Sequence, residues 1–583
     1  MHKRCLRAFS FAMTLCFSFP SPKPANGQGF QSAPAEKETI RGTVINSVTH
    51  EAVGRALVFS PDNRFATMTD SEGHFELTFS APSTVEKGTG ADRSDGRINP
   101  TPDRPDTLMA RKPGFLDDRN TPLSTRNTAG KDLTLSLTPE ALIVGRVLLP
   151  SSDDADRIQV ELYRRGVDDG LAHWMSAGTI TSRANGEFRF ADLAAGSYKL
   201  LTRELLDRDP LTFDPLGQLY GYPPVYFPNA GSFAAAETIP LSPGKTFVAN
   251  ITVVRHAYYQ VKVELAAAEP SKGMNVIVYA EGRGPGYALG YDNQQQAIMG
   301  MLPDGNYTVE AASYGRTPAT GLLHFSVKGA AVEGKRMTVV ANASIRVNVK
   351  EEFASSDNGS SEFWRSDGRK FTLQGPRRYL NIYLQPADDF GLEQGASLRS
   401  PTRPEDESLV IDNVLPGRYW VRINSSRGFA ASLMCGGIDL QHHWLVIGAG
   451  GSTPPIEVTM RDDGAEVEGT VEGMAKPLLE ARTSQLPAWN QPVPPDSQAH
   501  IYLVPVPDSS GEFRETWVSP EGKFNLQQVP PGVYRALAFD RPQPELEYRN
   551  PEAMRAYESR GQVISLVAGQ KQQLQLQMIS TSE

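Results

Sequence analysis

Cysteine is nearly absent: the 583 residues hold three. Cys5 and Cys16 lie in the first 27 residues, so Cys435 is alone in the body of the chain. One thiol cannot close an internal disulfide, which leaves core packing to hold the fold together. Long apolar runs are also missing. Past residue 27 no stretch reaches the roughly 18 uninterrupted apolar residues that a membrane-spanning helix needs. Basic charge is not in excess either. The net charge is −9, and removing Lys3, Arg4, Arg7 and Lys23 with the N-terminal segment leaves about −13. An acidic body excludes nucleic acid as a partner, because phosphate binding needs a basic surface.

Signatures of catalysis are missing too. None of the nine histidines has Glu three residues on, and there is no H-E-x-x-H. A catalytic zinc, which needs three protein ligands and an open position, has no ligand set here. No G-x-S-x-G nucleophile elbow occurs. Gly282-Arg283-Gly284-Pro285-Gly286 is glycine-rich, but Pro285 lacks an N–H and no Lys-Ser/Thr follows, so it reads as a loop and not a phosphate cradle. Asp153, Asp154 and Asp156 lack calcium-loop spacing and read as a solvated turn. His442-His443 is the one histidine pair. Neighbours on a strand face opposite ways, so this pair reads as packing or surface. Cys435 reads as a buried structural thiol. The expectation is no catalytic residue, no metal and no cofactor.

What is present is turn chemistry. Gly (51) and Pro (44) are plentiful, as many short strands joined by turns require. The most legible stretch is Asn185 to Tyr198, NGEFRFADLAAGSY. Asn185-Gly186 supplies a hairpin turn, Phe188 and Phe190 alternate with charged residues, and Ala195-Gly196 turns the chain into a strand starting at Tyr198. The pattern returns as Glu521-Gly522, Phe524, Leu526, Val529, Pro531-Gly532 and Tyr534. Less complete copies are Asp304-Gly305-Asn306-Tyr307, Val410-to-Tyr419 with Pro416-Gly417, and Glu72-Gly73, Phe75, Leu77. The second-turn glycines Gly196, Gly305, Gly417 and Gly532 are 109, 112 and 115 residues apart. That period exceeds the roughly 20–50 residues of a solenoid repeat and is the size of a small domain. The expected architecture is all-β, a tandem array of about five sandwich domains over 38–140, 141–256, 257–342, 343–463 and 464–583.

Residues 1–27 read as a secretory signal: a basic start, a short apolar stretch from Ala8 to Phe19, and small residues around Ala25-Asn26-Gly27. This implies export to periplasm, cell surface or medium. Ser80 to Pro105 is poor in large apolar residues and reads as a mobile insertion. Further insertions read at 351–370 and 388–406, a Pro-rich loop at 485–496, and one short helix within 551–560. Leu137 and Leu142 lie five residues apart, as do Val340 and Ile345, so the linkers predict a semi-rigid string of beads.

The opening strand Ile40-Arg41-Gly42-Thr43-Val44, the turn at Glu72-Gly73 before Phe75, and Ala110-Arg111-Lys112-Pro113-Gly114-Phe115 together resemble a carboxypeptidase regulatory-like domain. The resemblance covers 38–140 best, with the second and fifth copies next, and Tyr226-Phe227-Pro228 resembles a segment common in multi-domain secreted proteins of this kind. It implies prealbumin-like, Cna-B-like or Ig-like β-sandwiches of about seven strands. It implies fold and not activity. Some Cna-B-like domains carry a Lys–Asn cross-link; Arg41 and Arg146 stand in the first two opening strands, and Lys262 and Lys350 are the remaining candidates. A binding role leaves the aromatic loop in the second domain as the candidate site, with Tyr220, Tyr222 and Tyr226 as a sugar-stacking platform. Trp364 and Trp489 come second. The same rings also suit packing of the loop onto its own sheet. The expected function is a non-enzymatic binding, adhesion or spacer module at the cell envelope, its partner an envelope protein or polysaccharide; the alternative is a carbohydrate-binding protein using that loop.

Overall fold

The computed structural model describes residues 37–80, 105, 107–116, 123–125, 132–150, 157–206, 218–266, 273–281, 284–313, 318–354, 359, 361–364, 370–390, 394–401, 406–450, 452–473, 499–507, 509–519 and 521–580. The readings of a signal segment, of the insertion at 81–104, of Asp153, Asp154 and Asp156, and of the Pro-rich loop at 485–496 with Trp489 lie outside them.

One three-strand arrangement recurs five times. The opening strand pairs antiparallel with the strand after the first turn and parallel with a strand near the end of its unit. Lys37–Asn46 does so with His74–Ser80 and Leu133–Leu137. Ala141–Leu148 does so with Glu187–Leu193 and Thr246–Val248. His256–Ala266 pairs with Ala297–Pro303 and Val332–Thr338. Ala343–Glu352 pairs with Val410–Val414 and Ile456–Arg461, and Ala465–Glu472 with Lys523–Val529 and Lys571–Ile579. A second group of strands completes each unit, joined to the first as one sheet in the fifth; in the second unit the order is Leu171–Thr181, Gln159–Asp168, Gly196–Thr202, Ile239–Leu241. The protein is thus all-β and multi-domain, with a separate apolar core under each repeat of the pattern.

Two packing devices explain the recurring residues. First, the opening-strand glycine is a contact requirement. A Cβ on Gly145 would sit 1.7 Å from the Ala249 carbonyl oxygen and 2.7 Å from the Phe188 ring. Gly469 repeats this against Leu574 and the Phe524 ring, at 2.3 and 2.6 Å. The hairpin Phe therefore lies flat over a strand position that only glycine can occupy. Second, the tyrosine after the second turn closes a corner. Tyr198, Tyr307, Tyr419 and Tyr534 are all buried, and each hydroxyl donates to the carbonyl four residues back, on Ala194, Pro303, Leu415 and Pro530, at 2.6 to 3.0 Å. A buried phenol must satisfy its hydroxyl, and this bond does so while pinning the turn.

The short helix forms as expected. It spans Pro551–Met554, with Asn550 accepting from the N–H groups of Glu552 and Ala553. Part of the 351–370 insertion pairs as Ser361–Trp364 with Lys370–Leu373. The glycine-rich stretch read as a loop instead contributes the strand Gly284–Tyr287. Lys262 is half-buried and bonds the Gln295 side chain, and Lys350 is exposed beside Glu352, so neither is the buried lysine that a cross-link needs. Cys435 is buried, as expected.

The string of beads is the main correction. Short linkers fix sequence distance, not separation in space. The hairpin Gln159–Asp168 and Leu171–Thr181 of the second unit reaches residues of the fourth and fifth. Tandem units here fold back on one another.

Candidate functional site

The docked hairpin ends in Asp168-Asp169-Gly170-Leu171. Asp169 and Gly170 take positive φ, 47° and 73°, as a two-residue turn between twisted strands demands. Gly170 also leaves room for a ring, since a Cβ there would lie 2.7 Å from Tyr548. The loop carrying Tyr548 precedes the short helix of the fifth unit. Tyr548 stacks on Phe513 with centroids 3.9 Å apart and planes 6° apart, which fixes the loop.

Asp169 is the hub. Its Oδ1 accepts from the Tyr548 hydroxyl. Its Oδ2 accepts from Arg549 at 3.1 Å and faces Arg422 Nε at 2.7 Å. Arg422 belongs to strand Gly417–Ser425 of the fourth unit, so one carboxylate ties three units together. Around it, Gln385 donates to Asp168 at 2.5 Å, and Arg165 donates bidentately to Glu547. The Arg165 hydrogen bond holds Glu547 below the usual carboxylate range. His173 and the Trp174 N–H both meet Asp389.

Beside this hub lies a cavity of about 740 Å³ between the second, fourth and fifth units. Asp169, Trp420, Arg422, His442, Glu512 and Arg549 are among its lining residues. Burial pushes the Glu512 carboxyl up, against the opposing pull of Arg514, which donates to it at 2.8 Å. Burial, and then the Arg549 charge, push Arg422 below the usual guanidinium range. His442 bonds Asp439 at 2.8 Å and the Ser509 carbonyl at 3.1 Å, bridging the fourth and fifth units. Among the described residues no group of three or more His, Cys, Asp or Glu could hold a metal ion.

The three tyrosines named from sequence do not share an outward face. Tyr226 is 1% exposed and Tyr222 7%, whereas Tyr220 is 41% exposed with the Arg255 guanidinium 4.9 Å from its ring centroid. Tyr226 donates to the Pro285 carbonyl at 2.8 Å, against strand Gly284–Tyr287, and Gly284 is glycine because a Cβ would lie 2.1 Å from that hydroxyl. The loop therefore docks the second unit on the third. Phe233 in the same region meets Phe390 of the fourth unit at 4.7 Å. Trp364 is exposed, 63%. Of the residues that build the cavity, the His442-His443 pair was noted in the sequence, as packing or surface, while Asp169, Arg422, Glu512 and Arg549 were not singled out. Asp169-Gly170 between two strand-like runs was the available signal, since D-G marks a hairpin.

No family model matches the sequence, and no curated protein does. Solved structures that share β-rich segments include the Bacillus anthracis TIE protein, 9% identical over 75% of each chain with a TM-score of 0.15. A streptococcal ancillary pilin is 10% identical over 52% of this chain and 99% of its own, TM-score 0.17. The major pilin subunit of Bacillus cereus is 9% identical over 76% and 99%, TM-score 0.12. Similarity at this level assigns no partner or activity to this chain.

Proposed function

We propose that the protein is an exported, non-enzymatic binding module of the cell envelope. It is built from carboxypeptidase regulatory-like sandwich units that begin near Glu38, Ala141, Ala257, Ala343 and Gly464. The observation that carries this reading is the composite cavity. Its volume, about 740 Å³, falls within the roughly 300–1,000 Å³ of ligand sites. Its walls come from units hundreds of residues apart, so it exists only when those units dock. A plain spacer needs no such docking. Its polar groups are tied to one another, Arg549 to Asp169 and Arg514 to Glu512, which suits recognition better than proton transfer. Among the described residues no helix is long and apolar enough to cross a membrane.

A screen of envelope glycans, peptides and small acids against the mature chain, run beside a hydrolase and peptidase panel, tests this. Saturable binding without turnover is expected. Turnover of any substrate, or no binding across the screen, overturns the reading.

A further inference from the structure

Arg422 holds a donor that its surroundings do not use. Its side chain is 8% exposed and lines the cavity. Nε is spent on Asp169 at 2.7 Å and on Gln385 at 3.0 Å. Nη2 is buried and has no hydrogen-bond partner. Buried charged donors are costly to leave unmet, and folded proteins pair nearly all of them.

The charge around it is also unbalanced. Arg422 and Arg549 both lean on the single Asp169 carboxylate. Five arginines and two histidines line the cavity against three carboxylates, in a chain whose net charge is −9. One of those carboxylates, Glu512, is half-buried and already engaged by Arg514. Apolar wall is present too, in Trp420, whose ring lies 5.6 Å from the Arg422 guanidinium, and in Phe513.

We propose that this cavity binds a small organic acid. Its carboxylate would be anchored by Arg422 and Arg549, and its body would lie against Trp420 and Phe513. Asp169 is the chain's own competitor for those arginines. A planar carboxylate already sits on the guanidinium and phenol donors, which shows what shape they accept. The arginines belong to the fourth and fifth units, which His442 also bridges, and Arg165–Glu547 and Gln385–Asp168 still hold the hairpin, so the donor set survives removal of the Asp169 charge. The inference rests on the binding-module reading above and names the ligand class.

The test is titration calorimetry on the full chain at low salt, with glucuronate as the probe, glucose as the neutral control, and inorganic phosphate as an anion without a body. Glucuronate should bind and glucose should not. Arg422→Gln should weaken glucuronate by about tenfold or more. Asp169→Asn should strengthen it by about tenfold, because the internal competitor is gone; a junction with only a structural role would show no such gain. Arg549→Gln stands in if Arg422→Gln loses its thermal transition. The proposal falls if neither wild type nor Asp169→Asn binds glucuronate up to about 10 mM, a limit past which affinity is negligible. It also falls if phosphate matches glucuronate, for then charge alone is read. A screened ligand that binds wild type and Arg422→Gln alike overturns this site and leaves the binding-module reading standing. Turnover overturns that reading and leaves the acid site intact.

Discussion

At the scale of single residues the repeated signature has two causes, each open to measurement. Gly145 sits where a methyl would collide with Ala249 and Phe188. Gly145→Ala should therefore lower the unfolding free energy of its unit by about 1–3 kcal/mol, as overpacking does. A urea midpoint shift at constant slope would report it. The corner tyrosines should each lose about 1 kcal/mol as Phe, since only the hydroxyl bond is removed. Tyr198→Phe is the most direct case, its hydroxyl donating to Ala194 at 2.7 Å, whereas the Tyr534 hydroxyl also accepts the Glu512 N–H at 3.2 Å. An unchanged midpoint would show that the bond merely replaces one to water. Glu204 gives a pH dependence. Its carboxyl accepts from the Ala288 N–H at the contact of second and third units, and burial raises its pKa from 4.5 to about 7. The folded form then holds its proton more tightly than the unfolded form. Stability is full below pH 4.5 and falls as pH rises through about 7, by an amount on the order of 2–3 kcal/mol. Glu204→Gln should flatten that fall in thermal scans across pH 4 to 8.

At the scale of elements, the sequence made the repeats legible wherever a local pattern sufficed. Alternating apolar residues and Gly-turn pairs located the opening strands and the hairpin strands, because period and turn chemistry are properties of neighbours along the chain. Tyr222 and Tyr226 show the limit. An aromatic that docks one unit on another has the same local pattern as one that faces solvent, and only the position of Gly284 against Tyr226 distinguishes them. Arg422 is the same case with charge: in sequence it alternates along a strand like a solvated residue, yet it is buried by partners from other units. The Asp169-Gly170 turn was readable as a hairpin, but its destination was not. That element offers its own test. Gly170→Ala places a Cβ into the Tyr548 ring at a positive φ of 73°. It should loosen the tip from the loop ending in Asn550 and speed tryptic cleavage after Arg549. Cleavage at the wild-type rate would mean that the tip does not hold that loop.

At the scale of the whole molecule, the charge pairs between units decide whether the tandem array is closed or extended. The tip and its flanks engage Arg422, Glu547, Arg549 and Asp389 across boundaries that the sequence spacing alone presents as simple linkers. These pairs are partly buried, with Arg422 8% and Glu547 12% exposed, so closure comes from them together with the shared aromatic contacts at Phe233 and Phe390, and an uncompensated charge among them is costly. Reversing two charges at once should then be enough to open it. Asp169→Arg with Glu547→Arg sets two new cations against Arg165, Arg422 and Arg549, where each original carboxylate was paired. The units themselves keep their separate cores, so far-ultraviolet dichroism and the unfolding transition of the isolated repeats should hold. Small-angle scattering of the double variant should show a larger radius of gyration than wild type, and the composite cavity should be lost with it. An unchanged scattering profile in the double variant would locate closure in the aromatic contacts instead, and Phe390→Ala would then be the substitution that opens the array.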